Sequence, residues 1–288
     1  MWQAISQQLS EALMFSFNIV EKVHLSGGDI SECYMISDGE QRYFVKVNSK
    51  EYMGKFQVEA ENLRLMRQTD SVALPELVLI GQSKTNAFII LNYLATKPLE
   101  DSENSFAFGQ KLAKLHLWGE QKQYGCDQDN YLGATLQPNS WHKKWSTFFA
   151  EQRIGWQLQL LKEKGVVFAS VDDIVDVFSR RLSNHNPRPS LIHGDLWHGN
   201  VALSAFGPIC YDPACYWGDR ECDLAMTELF GGFHADFYRG YEAVAPLSSG
   251  YSERKELYNL YHLLNHCNLF GGHYLEQAQK SIDNILSY

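Results

Sequence analysis

The chain has 288 residues, of which 45% are hydrophobic and 20% charged, and it carries a formal net charge of −9. That length buries a sizeable core in two lobes or one large domain, and the balance is that of an ordinary soluble globular protein. No basic cluster exceeds His142-Lys143-Lys144 or Ser179-Arg180-Arg181, and no apolar run is long enough to span a bilayer, so neither a nucleic-acid nor a membrane partner is expected.

Trp2, Ile5, Leu9, Ala12 and Leu13 recur at helical spacing in a first segment that lacks a basic n-region and an unbroken apolar core. It reads as a helix rather than a signal peptide, and a cytoplasmic protein is expected. Strand patterns follow over 18–25, 33–36 and 42–47. A helix is expected over 53–66, where Phe56, Ala60, Leu63 and Met66 share a face, and then strands over 76–80 and 87–91. The chain divides near residue 92. Beyond it the pattern predicts helices over 106–118, 141–161, 171–182, 223–229, 237–243, 253–264 and 273–286, with strand-like runs only beside Asn200 and Asp212. The fold class is therefore α+β and bilobal, a β-rich N-lobe over 1–92 and a mainly helical C-lobe over 93–288.

Six cysteines, at 33, 126, 210, 215, 222 and 267, form no C-x-x-C and no common zinc spacing, so reduced structural thiols are expected. His262 and His266 stand four apart on a predicted helix but lack the glutamate of H-E-x-x-H. Most histidines are expected in water or satisfied by hydrogen bonds.

The most informative segment runs from Leu191 to Asn200 and reads H-G-D-x-x-x-x-N, with Asp212 following 12 residues later at the end of a short apolar run. Phosphoryl transfer to a hydroxyl needs a carboxylate to receive the hydroxyl proton and oxygen ligands that hold Mg²⁺ against the phosphates. Asp195 fits the first need, and Asn200 with Asp212 the second. The spacing matches the protein-kinase catalytic loop with Gly194 in place of arginine. A turn before a strand also favours Gly, Asp and Asn. It does not account for the apolar Ser190-Leu191-Ile192 entry, the complete motif and Asp212 together.

That plan requires further parts. Gly27-Gly28, within 26–31, stands between the first two strands, where backbone N–H groups would approach phosphates, although a Gly-Gly hairpin serves equally as a plain turn. No G-x-x-x-x-G-K-[ST] occurs, which excludes a Walker-type site. Lys46 lies in the apolar third strand, where an unpaired ammonium is costly; an edge strand would instead leave it in water. Its expected partner is Glu59, on the inward face with Phe56 and Leu63, whereas Glu61 points away by about 200°. Adenine is expected against the backbone of Asn92, Tyr93 and Leu94, by location alone.

Nearly end to end, the chain resembles the fructosamine/ketosamine kinases, relatives of the aminoglycoside and choline kinases in the protein-kinase-like superfamily. The resemblance rests on Gly27-Gly28, Phe56-x-x-Glu59, the segment from Phe108 to His116, that from Trp145 to Arg153, the His193-Gly-Asp-Leu-Trp opening, and the run from Asp212 to Ala225. His198 is a departure, standing where the family more often has a small residue, and it would narrow the acceptor pocket. The resemblance implies ATP-dependent phosphorylation of a sugar hydroxyl, typically O3, of a free or protein-bound ketosamine. The phosphorylated adduct then breaks down and the amine is repaired. It also implies that Asp195 is the base or hydroxyl-orienting group, Asn200 and Asp212 the Mg²⁺ ligands, and Lys46 with Glu59 the phosphate-holding pair. Trp197, two residues past Asp195, would stack on the sugar or its amine-bearing arm, although most tryptophans are simply core. Asp219, Arg220, Glu221 and Asp223 read as a helix N-terminus or, preferably, a clamp on the catalytic loop. Two other readings stand beside this one: a kinase of another small hydroxyl compound, and an ATP-binding pseudokinase. The presence of Lys46, Asp195, Asn200 and Asp212 argues against the latter. Oligomeric state is not legible.

Overall fold

The computed structural model describes residues 1–26 and 30–287. Its N-terminal region is built on one antiparallel sheet of β1 (Glu21–Leu25), β2 (Glu32–Ser37), β3 (Arg42–Ser49), β4 (Leu77–Gln82) and β5 (Asn86–Asn92), in the order β1-β2-β3-β5-β4. Strand β3 is central, so Lys46 is not on an edge; it lies between Cys33 of β2 and Ile89 of β5. The two-residue period of a strand sorts the side chains. Val45, Val47, Phe88 and Ile90 pack with Ile5 and Leu9 of helix α1 (Trp2–Leu13). Ala87, Ile89 and Leu91 face the other way, onto Phe56, Ala60, Leu63 and Met66 of α2 (Met53–Arg67). Burial on both faces is why 87–91 is an unbroken apolar run. The same alternation turns Lys46 toward α2.

The C-terminal part is mainly helical, which with the sheet makes the expected α+β arrangement. Helix α3 (Ser102–Leu117) is capped by Asp101, whose Oδ1 accepts from Asn104 N at 2.9 Å. A continuous helical run comprises α4 (Trp145–Phe148), a π-helical turn (Phe149–Gly155) and α5 (Trp156–Glu163). Helices α6 (Val171–Arg181), α7 (Glu221–Leu229), α8 (Ala235–Glu242), α9 (Tyr251–Phe270) and α10 (His273–Ser287) follow. Close packing of α3 on α8 depends on glycine: a Cβ on Gly240 would meet Phe106 O at 2.1 Å, and one on Gly109 would meet Phe237 O at 2.0 Å. No helix among the described residues is long and apolar enough to cross a membrane.

The expectation that strands beyond residue 92 occur only beside Asn200 and Asp212 is corrected. Strands β9 (Ser190–Ile192), β10 (Val201–Ser204) and β11 (Gly207–Cys210) were expected, but β6 (Thr96–Lys97), β7 (Asn130–Leu132), β8 (Thr135–Gln137) and β12 (Tyr216–Gly218) are additional. Strands of two or three residues show no periodicity, and β7 and β8 bury Asn130 and Gln137, which a hydropathy pattern scores as loop. Helix α3 begins four residues before the predicted 106, α9 runs on to Phe270, and the run predicted from 141 begins at Trp145.

Candidate active site

The site is assembled where β9 ends. Gly194 has a φ of +81°, and a Cβ there would meet Ala214 O at 2.2 Å, so the loop turns tightly against the segment after Asp212. Asp223 of α7 fastens this turn: its Oδ2 accepts from His193 N at 2.7 Å and its Oδ1 from Gly194 N at 2.9 Å. Burial alone would raise the Asp223 carboxyl, but His116, His193 and the Gly194 N–H outweigh it and hold it below the usual carboxylate range. His116 reaches Asp223 Oδ2 at 3.1 Å and the Tyr241 hydroxyl at 2.8 Å. The clamp expected of the charged cluster therefore belongs to Asp223. Asp219 instead accepts from Tyr258 Oη of α9 and faces His185 in the loop after α6, and Glu221 accepts from Arg254 of α9.

Asp195 is half-buried on the floor of a cleft of about 760 Å³ between the sheet and the helices. Asn200 Nδ2 donates to Asp195 O at 2.8 Å and to Asp195 Oδ2 at 3.1 Å. Burial, and then the charge of Asp212, push the Asp195 carboxyl up to about 7 against the Asn200 hydrogen bond. Burial lowers the His193 imidazole, which stays neutral; its Nε2 lies 3.1 Å from Tyr211 O and its Nδ1 accepts from Asp195 N at 3.3 Å.

Across the cleft, Lys46 Nζ lies 2.8 Å from Glu59 Oε1 and 2.5 Å from Asp212 Oδ1. Burial works against the ammonium, but Asp212 and Glu59 together raise it well above its ordinary value, so it is fully charged. Glu61 is exposed and paired with Arg64 instead. The donor set suits a hard divalent cation: the partly exposed Asp212 carboxylate and the Asn200 Oδ1, which no donor among the described residues takes.

Lys46, Glu59, Asp195, Asn200 and Asp212 thus share one cleft, as do Asn92, Tyr93, Leu94 and Trp197. Asn92 N already donates to Glu76 O at 2.9 Å and Tyr93 N to Arg42 O at 3.4 Å, whereas no acceptor among the described residues takes the Leu94 N–H. Gly27 and Gly28 lie outside the described residues. His198 is not among the residues that line the cleft: it is exposed, and its Nδ1 lies 2.7 Å from the backbone O of Phe230 at the cleft's edge.

Sequence reasoning missed the far wall. His262, His266, Phe270 and Tyr274, from α9 and α10, line the cleft together with Phe230, which stands between His266 and Trp197. His262 is buried and its imidazole is pushed down to about 3 by burial and by His266, so it is neutral. The i, i+4 spacing of the two histidines was the available signal; a metal was sought there, whereas the pair lines a cavity.

The fructosamine kinase family matches residues 1–288. A probable ketoamine kinase of Vibrio vulnificus is 84% identical over 288 residues, covering 100% of both chains. A crystal structure of a candidate fructosamine-3-kinase from Haemophilus somnus superposes with a TM-score of 0.95 at 40% identity, covering 99% of this chain and 98% of that one. Choline kinase LicA from Streptococcus pneumoniae shares the fold alone, with a TM-score of 0.64 at 17% identity over 99% of each chain. The kinase-like cleft and these matches lead to one conclusion: the chain belongs to the fructosamine kinase family.

Proposed function

We propose that the protein is an ATP- and Mg²⁺-dependent kinase that phosphorylates O3 of the sugar in ketosamines such as ribulosamine and fructosamine adducts, free or protein-bound, and so serves the repair of glycated amines. The observation that carries this reading is the convergence of Lys46, bridged to Glu59 and Asp212, on the same cleft as the Asp195–Asn200 pair, in a chain whose relatives bear ketoamine kinase names. Mg²⁺, when bound, neutralises charge on the phosphates being transferred. Asp212 and Asn200 Oδ1 are the groups that would hold it. Lys46, kept charged by its two carboxylates, binds phosphate oxygens. Asp195 orients the acceptor hydroxyl and takes its proton at Oδ1, the oxygen that Asn200 leaves open.

The test is Mg²⁺-dependent ATP consumption against ribulose-lysine, fructose-lysine, kanamycin, choline and free sugars. Turnover confined to the ketosamines supports the reading, and turnover on another compound keeps the kinase but discards the repair role. The acceptor side carries its own prediction. Trp197 lines the cleft half-buried beside Phe230, with ring centroids 6.4 Å apart. Trp197→Ala is expected to raise KM for ketosamine about tenfold, the equivalent of about 1.4 kcal/mol of stacking, with KM for ATP within twofold. Equal effects on both constants would remove Trp197 from the acceptor site.

A further inference from the structure

Asp212 has a φ of +57°, in the left-handed region that a residue bearing a Cβ rarely adopts, and no helix or strand holds residues 211–215. Instead, the three carbonyls that follow Asp212 are each taken by a buried side-chain amide from a different element. Asn62 Nδ2 of α2 donates to Pro213 O at 2.9 Å. Gln137 Nε2 of β8 donates to Ala214 O at 3.0 Å, and Asn130 Nδ2 of β7 to Cys215 O at 2.8 Å.

These amides hold one another. Asn130 Oδ1 accepts from Gln137 Nε2 at 2.6 Å and from Asn139 Nδ2 at 3.0 Å, and Gln137 Oε1 accepts from Tyr261 Oη at 2.7 Å. Asn139 Oδ1 accepts from Arg153 Nη2 at 2.6 Å, and that guanidinium lies 4.0 Å from the centre of the Tyr216 ring. Asn62, Asn130, Gln137, Asn139 and Arg153 are all buried. Removing so many polar groups from water is costly, and the cost is met only where their partners are fixed.

Asn62 also stands three residues past Glu59 on the same helix. Lys46 is paired with both Glu59 and Asp212, so a closed ring runs from Lys46 through Glu59, α2, Asn62, Pro213 and Asp212 back to Lys46. We propose that Asn62 is a positioning residue that ties α2 to the Asp212 segment, so that the Glu59–Lys46 pair and Asp212 move as one body, which Asn130 and Gln137 anchor to the helical part of the fold. This arrangement keeps the phosphate-holding and cation-holding groups in register without a modification or partner to assemble them. It rests on the reading of Asp212 as a Mg²⁺ ligand.

The experiment compares the wild type with Asn62→Ala, the near-isosteric Asn62→Asp, and Gln157→Ala. Gln157 is a buried amide that, among the described residues, makes no hydrogen bond to α2 or to residues 211–217; it lies 3.2 Å from Asn265 Oδ1 and 2.8 Å from Asn268 Nδ2. Hydrogen–deuterium exchange is measured on the metal- and nucleotide-free proteins, and turnover is measured against Mg²⁺ concentration. In the Asn62 variants, exchange is expected to rise together over 53–67 and 211–217. The Mg²⁺ concentration for half-maximal turnover should rise about tenfold, as is usual when a residue supporting a ligand is lost, with KM for ketosamine within twofold. Gln157→Ala should lower Tm without either change. Should Asn62→Ala fail to fold, Asn62→Asp is read in the same way, since it keeps the volume and loses the donor. The inference is overturned if the Asn62 variants merely lose Tm as Gln157→Ala does, with the two segments exchanging independently and the Mg²⁺ dependence unmoved. Asp212→Ala is assayed beside them: surviving turnover there would discard Asp212 as a ligand, a failure separate from that of the exchange result.

Discussion

Asp195→Asn is expected to lower kcat about 10³-fold while leaving KM for ATP within a few-fold and to raise Tm at alkaline pH. Asparagine preserves the volume of Asp195 and an oxygen for the Asn200 amide, so the loop clamped by Asp223 keeps its shape. What disappears is the proton acceptor. The stability effect follows from the burial that, with Asp212, lifts the Asp195 carboxyl from 3.8 to about 7. A carboxyl raised on folding stabilises the protein fully below its unfolded value, and that contribution is lost as pH rises through the folded value. In the metal-free protein, then, ionised Asp195 is a liability above about pH 7 and none below about pH 4. Thermal melts in chelator should show Asp195→Asn above the wild type at pH 8 and level with it at pH 4. An inactive variant that melts lower at pH 8 would mean that asparagine disturbed the loop, and the kinetic loss would then say nothing about proton transfer.

The parts of the site that were legible in the sequence share one property: each is announced by residues close together in the chain. The run from His193 to Asn200 specifies a turn, an acid and an amide within eight residues, and Lys46 announces itself as a charge in a strand otherwise apolar on both faces. Choosing Glu59 over Glu61 needed only the helical period. The amides around the Asp212 segment were not legible for the opposite reason. Asn62, Asn130 and Gln137 reach carbonyls 77 to 151 residues away, and a buried amide looks like a loop residue until its acceptor is known. Arg153 was likewise unplaceable: it sits on a π-helical turn, which shifts its direction from that of a regular helix, and its partners lie on a loop and a short strand. His198 illustrates the converse error. Position beside Trp197 suggested the pocket, but Trp197 has extended backbone and precedes the 3₁₀ turn that His198 opens, and its ring lines the cleft while the His198 ring meets a carbonyl.

Lys46→Met should produce the second large effect, a loss of kcat/KM for ATP on the order of 10²–10³-fold, the range seen when one preorganised donor to a developing negative charge is removed. This variant also isolates a cost that the wild type conceals. Lys46 Nζ is the cation between Glu59, with its side chain 19% exposed, and Asp212, which is 44% exposed. Without it, Glu59 is left as a largely buried carboxylate facing a second one, and breaking such a pair from one side costs ~3 kcal/mol, whereas replacing both partners by apolar groups costs far less. Lys46→Met should therefore melt well below the wild type at neutral pH, and Lys46→Met/Glu59→Leu should recover most of that stability without recovering activity. Because Asp212 is the more exposed of the two carboxylates and, among the described residues, is paired with Lys46 alone, Mg²⁺ should raise Tm more in Lys46→Met than in the wild type, where the ammonium already answers part of that charge. Recovery of turnover in the double variant would show that Lys46 serves only to neutralise Glu59. Recovery of stability alone assigns the ammonium two separate roles: one holds α2 and the Asp212 segment together before any ligand arrives, and the other meets the phosphates once it does.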